Sequence, residues 1–136
     1  MRKTRGLVIT AFDDAGQRVQ AEVRHALEDL GVDVLRFDSV TPGAAWGSTI
    51  TDAVRSSDIV VVDVSQQNPN VFYELGMAHA LRRPTILIAS TKGMRSLPSD
   101  LMDFHYIVYD PKNLQALVKT LQLAAQSLIQ RGEDKQ

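Results

Sequence analysis

The sequence predicts an α/β fold, a five-stranded parallel sheet of order 2-1-3-4-5 with helices on both faces. Three observations lead there. Apolar segments of strand type alternate with segments of helical periodicity along most of the chain, the pattern that α/β folds produce. DIVVVDV at 58–64 is a nearly unbroken β-branched run, as expected of a strand covered on both faces. The connections are long enough for right-handed crossovers, and so for parallel neighbours.

The elements follow in order. GLVITAF (6–12) is a compact apolar strand bounded by Asp13, Asp14 and Gly16. From Ala15 to Leu30, residues Val19, Val23, Ala26, Leu27 and Leu30 recur on one helical face, and Gly31 stands where a helix stop belongs. VDVLRF (32–37) reads as a second, shorter strand, and Ser39 to Gly43 as a loop punctuated by Pro42-Gly43. Ala44 to Ser57 reads as a helix, although Gly47, Thr49 and Thr51 are weak helix formers. After the 58–64 strand come a helix over Pro69–Arg82 and a fully apolar strand, PTILIA (84–89). Ser90 to Asp103 is a loop with room for one helical turn. HYIVY (105–109) is the fifth strand and Asn113–Ile129 the closing amphipathic helix. Residues 1–130 form one domain in this reading, and 131–136 a polar, frayed tail. Five strands in this arrangement fit a flavodoxin-like sandwich, whose ligand crevice lies beyond the carboxyl ends of strands one and three.

Bulk properties narrow the function. The length, 136 residues, is that of one ordinary domain. With 15 Lys+Arg against 16 Asp+Glu, the chain lacks the basic excess that a nucleic acid polymer requires. It contains no cysteine, which excludes disulfides, thiolate-bound zinc and thiol catalysis. The amino-terminal apolar run is too short for a signal peptide, and no stretch approaches the roughly 20 apolar residues of a membrane span. A cytoplasmic protein is the expectation.

The expected crevice selects two loops. One is Thr10-Ala11-Phe12-Asp13-Asp14; the other is Ser65-Gln66-Gln67-Asn68, which leads into the helix carrying Glu74. Asn68-Pro69 is a helix start, with a capping side chain and then proline at the first helical position. At about 100° per residue, and with Val71 at zero, Glu74 falls near 300°, beside Met77, Ala78 and Leu81. Arg83 falls at about 120°, across the helix, with His79 on its side. Glu74 is thus predicted to face inward, where a carboxylate is costly unless hydrogen-bonded or open to a polar cavity.

Other candidates carry two readings each. Asp13 and Asp14 stand where ribose hydroxyls would be met, and acids in a first helical turn are also common for dipole reasons. Phe12 can stack on a base or plug a loop. Asp63 is a partly buried acid near the end of its strand. Ser65, Asn68 and Asn70 are crevice polars, and capping alone explains Asn68. His79 belongs to a surface or an interface, and His25 and His105 have no metal-ligand spacing. Trp46 packs under a helix or lines the pocket mouth. Lys92–Ser96 is a small basic loop, solvated or closing over an anion. No metal and no cofactor is expected.

The run S-D-I-V-V-V-D-V-S-x-x-N-P-N-V-F-Y-E-L-G-M-A-H-A-L-x-x-P-T-I-L-I, residues 57–88, resembles the core of the nucleoside 2-deoxyribosyltransferase-like superfamily. That superfamily includes the deoxynucleoside 5'-phosphate N-hydrolases. More loosely the run is similar to TIR-like domains, whose NAD-cleaving members carry a glutamate on the helix after the third strand. The resemblance implies cleavage or exchange of an N-glycosidic bond in a nucleoside, nucleotide or NAD-like molecule, with Glu74 as nucleophile or stabilising carboxylate. It also implies a site completed within a homo-oligomer. Two places depart from the pattern. The nucleoside-processing members have an aspartate where this chain has Ile50, and TAFDD replaces their glycine-rich phosphate loop. The alternative is a noncatalytic TIR-like nucleotide-binding or self-assembling module. A phosphate-accepting response regulator would use Asp63 and Lys92, but it leaves Tyr73-Glu74-Leu75-Gly76 without a role.

Overall fold

The computed structural model describes residues 3–35, 46–97 and 105–134. It contains β1 (Arg5–Ile9), α1 (Asp14–Glu28), β2 (Asp33–Val34), α2 (Trp46–Ser56), β3 (Ile59–Asp63), α3 (Pro69–Ala80), β4 (Thr85–Ser90), β5 (Tyr106–Tyr109) and α4 (Leu114–Asp134). A 3-10 turn over Gly93–Ser96 follows β4, the single turn expected within the 90–103 loop. All strand pairs are parallel and the order is β2-β1-β3-β4-β5, as the alternation of elements predicts.

Strand pleating divides the core into two layers, because successive side chains point to opposite faces of a sheet. Leu7, Ile9, Val60, Val62, Leu87 and Ala89 face α2 and α3, where Ile50, Val54, Val71, Leu75 and Ala78 complete one cluster. Val8, Ile59, Val61, Ile86 and Ile88 face α1 and α4, meeting Val19, Val23, Leu27, Leu117, Leu121 and Ala125. Every residue of β3 is buried, which accounts for its unbroken β-branched sequence.

Several element ends differ from expectation. Strand β1 stops at Ile9, three residues short of Phe12, and Asp13 then serves as the N-cap of α1. The second strand shrinks from 32–37 to the two residues Asp33–Val34, paired with Arg5 and Gly6; positions 36 and 37 lie outside the described residues. It is an edge strand with β1 as its single strand neighbour, and Val34 packs on the core layer beside α1. The loop predicted at 39–43 also lies outside the described residues. The tail expected to fray continues α4 through Asp134. Arg131, Gly132 and Glu133 are exposed there, so their polarity is compatible with a solvated helix.

Candidate active site

The carboxyl ends of β1, β3, β4 and β5 deliver Thr10, Asp63, Ser90 and Tyr109 to one edge of the sheet. Residues 59, 61 and 63 alternate onto the α1/α4 face, so the Asp63 side chain points there, in line with Ile88 and Ser90 on β4. The Asp63 carboxylate is buried and fully engaged. Its Oδ1 accepts from the Ser65 backbone N–H at 3.0 Å and from the Ser65 hydroxyl at 2.5 Å. Its Oδ2 accepts from the Tyr109 hydroxyl at 2.7 Å. Ser65 Oγ in turn accepts from the Ser90 N–H at 2.7 Å, and Ser90 Oγ from the Gly93 N–H at 2.9 Å. Burial, and then the Asp63 charge, hold the Tyr109 hydroxyl above its ordinary pKa. Gly93 has to be glycine at this approach, because a Cβ would lie 2.5 Å from the Ser65 backbone. The chain of bonds therefore stitches the ends of β3, β4 and β5 together.

Beside this network lies a cavity of about 420 Å³, lined by Arg18, Asp63, Ser65, Gln66, Lys92 and Tyr109, with Ala11, Val19 and Leu114 on its apolar side. Sequence reasoning had placed Asp63 and Ser65 near a ligand, and the structure brings both to this cavity. It missed Ser90 and Tyr109, which stand at the ends of β4 and β5, and Arg18, which is exposed on α1 and lines the cavity. Lys92, for which a solvated loop was the plainer reading, is exposed but lines the cavity.

The remaining candidates lie elsewhere. Asp13 is exposed and caps α1, its Oδ1 accepting from Gly16 N–H at 2.8 Å and its Oδ2 from Gln66 Nε2 at 2.6 Å. The Gly16 N–H, and then the Gln66 amide, hold its carboxyl below the usual carboxylate value. Phe12 is 61% exposed. Asn68 caps α3 by accepting from the N–H groups of Asn70 and Val71, at 2.9 and 3.3 Å, so capping accounts for it. Asn70 itself is exposed. Among the described residues no group of three or more His, Asp or Glu is placed to hold a metal ion.

Glu74 lies on the other face of the sheet. It is 7% exposed, as its helical angle predicts, among the α3 residues Val71, Leu75 and Ala78 that pack toward α2. It does not line the cavity. Burial pushes its carboxyl up to about 7. His79, across the helix, is exposed, while Arg83 is partly buried and reaches the Ser57 carbonyl at 3.5 Å. Ile50, standing where the resemblance calls for an aspartate, is 1% exposed and belongs to the same apolar cluster as Val71 and Leu75. Asp52, two residues on, is exposed.

No family model and no curated protein matches the sequence. Solved structures share its fold. The CMP N-glycosidase BcmB of Clostridium botulinum superposes with a TM-score of 0.70 at 19% identity, over 89% of this chain and 99% of that one. The TIR domain of the Toll-related receptor TRR-2 of Hydra magnipapillata does so with a TM-score of 0.70 at 19% identity, over 90% and 96%. The 2-deoxyribosyltransferase of Bacillus psychrosaccharolyticus follows at 0.57 and 15%, over 82% and 90%. The chain therefore has a fold shared by an N-glycosidase, a 2-deoxyribosyltransferase and a TIR domain. Among the described residues no helix is long and apolar enough to cross a membrane.

Proposed function

We propose that this protein is an enzyme that cleaves or exchanges the N-glycosidic bond of a nucleoside, nucleotide or NAD-like molecule, with Glu74 as the reacting carboxylate. One observation carries the reading: a carboxyl group is kept in an apolar layer and pushed up to about 7 by burial. Such a group costs stability, and residues of that kind cluster at sites of chemistry. Two of the structures that share the fold are named as an N-glycosidase and a deoxyribosyltransferase, which supports the same class.

In the proposed reaction the ionised Glu74 oxygen forms a bond to the anomeric carbon as the carbon–nitrogen bond breaks, and its electron pair leaves with the base. A purine or pyrimidine base takes up a proton from solvent as it leaves, whereas nicotinamide leaves NAD as a neutral molecule and needs none. Water then attacks the glycosyl ester, gives up a proton, and releases the sugar and the carboxylate; a second base in place of water gives exchange. Low local polarity favours attack by a poorly solvated carboxylate, but only its ionised form reacts. Turnover is therefore expected to rise with pH through about 7.

The test is incubation of the purified protein and of Glu74→Gln with nucleosides, nucleotides and NAD, with released base followed by chromatography. Release by the parent and not by the variant supports the reading. Equal release by both ends it. The second reading, a TIR-like binding or self-assembling module, is favoured by Ile50, whose burial leaves α2 without the acid that the nucleoside-processing pattern carries there. Ligand-dependent oligomerisation without product would select it.

A further inference from the structure

We infer that the cavity between α1, α4 and the carboxyl ends of β3, β4 and β5 is a second binding site, one that takes an organic phosphomonoester independently of Glu74. Its volume, about 420 Å³, lies within the ~300–1,000 Å³ range of small-molecule sites. Arg18 and Lys92 both line it, and neither side chain forms an ion pair or hydrogen bond with another described residue. The single anion in the lining, Asp63, already accepts from Ser65 N–H, Ser65 hydroxyl and Tyr109 hydroxyl. Its charge is thus held by three donors on the protein, and the two cations remain for a ligand.

The chemistry of the lining defines the ligand class. Two positive side chains match a dianionic phosphate, with a planar guanidinium that can grip two oxygens and an ammonium that acts as a point charge. Val19 and Leu114 give the cavity an apolar wall, which suits a ligand whose phosphate carries a compact apolar or aromatic body. Glu74 lies on α3, whose apolar residues pack in the opposite layer, and does not line the cavity, so occupancy here requires no contact with it.

Phenyl phosphate is the probe, titrated into the full chain and followed by amide chemical shifts, with inorganic phosphate and phenol as separate arms. Shifts are expected at Ala15, Gly16, Ser65 and Gly93, with phenyl phosphate binding more tightly than either fragment. Arg18→Gln with Lys92→Gln should weaken it by about tenfold or more, from loss of charge-assisted hydrogen bonds. Both side chains are exposed, so an unchanged urea midpoint certifies the fold of the double variant. Glu74→Gln should bind as the parent does, which separates this site from the proposed glycosidase chemistry. Unchanged affinity in the double variant, shifts confined to α2 and α3, or loss of binding in Glu74→Gln would each overturn the inference. Equal affinity for inorganic phosphate would remove the organic ester as the ligand class.

Discussion

A glutamate with its carboxyl pushed up to about 7 makes stability depend on pH in a defined direction. The folded protein keeps this proton between roughly 4.5 and 7, where the unfolded chain has lost it. Stability contributed by the neutral form is complete below that window and is lost as pH rises through it. The shift corresponds to about 2 kcal/mol once partial screening by water at the carboxyl is allowed for. Glu74→Gln cannot ionise, so it should gain about 2 kcal/mol over the parent between pH 4.5 and pH 8. Urea unfolding at both pH values checks this, and a difference that does not change with pH would sink it. The inward orientation was legible in the sequence because helical angle alone opposes Glu74 to His79. Its isolation from Asp63 was not, since that depends on which face of the sheet each residue meets.

Helices α1 and α3 end in the same way, and only one of them uses the usual residue. After α1, Gly31 N–H donates to Glu28 and Val32 N–H to Leu27, with Gly31 at φ 83°. After α3, Arg82 N–H donates to His79 and Arg83 N–H to Ala78, with Arg82 at φ 55°. This pair of bonds requires a left-handed residue, which costs a side chain about 1–2 kcal/mol and glycine almost nothing. Glycine also loses more freedom on folding. Arg82→Gly should therefore stabilise the protein by about 0.5–1 kcal/mol in denaturant titrations; a net loss would mean that the arginine side chain holds something the strain argument omits. Gly31 announced its role in the sequence, whereas Arg82 did not, because nothing in an arginine signals a positive φ. Elements with long apolar periodicity, such as β3 and α4, were readable for the complementary reason: their identity rests on many residues. Their ends rest on one or two, and β2 has a single strand neighbour.

At the scale of the whole molecule the sheet is a wall between two chemistries, the Asp63 network and cavity on one side and Glu74 on the other. The topology and the crevice edge were predictable from the order of elements. The cavity was not, because Arg18 on α1, Ser65 after β3, Lys92 after β4 and Tyr109 at the end of β5 are far apart in sequence and meet only when the parallel strands end together. The wall also predicts how substitutions combine. Tyr109 sits at the end of edge strand β5 and donates across β4 to Asp63 on β3. Tyr109→Phe leaves Asp63 Oδ2 without that donor, and should cost about 1–3 kcal/mol. Glu74→Gln acts in the opposite direction at pH 8. Because the two groups share no partner and lie in separate core layers, their effects in the double variant should add to within ~0.5 kcal/mol. A larger coupling, read from urea unfolding of the two single variants and the double, would mean that the sheet transmits strain between its faces. In that case the independence assigned to the phosphomonoester cavity would lose its structural basis as well.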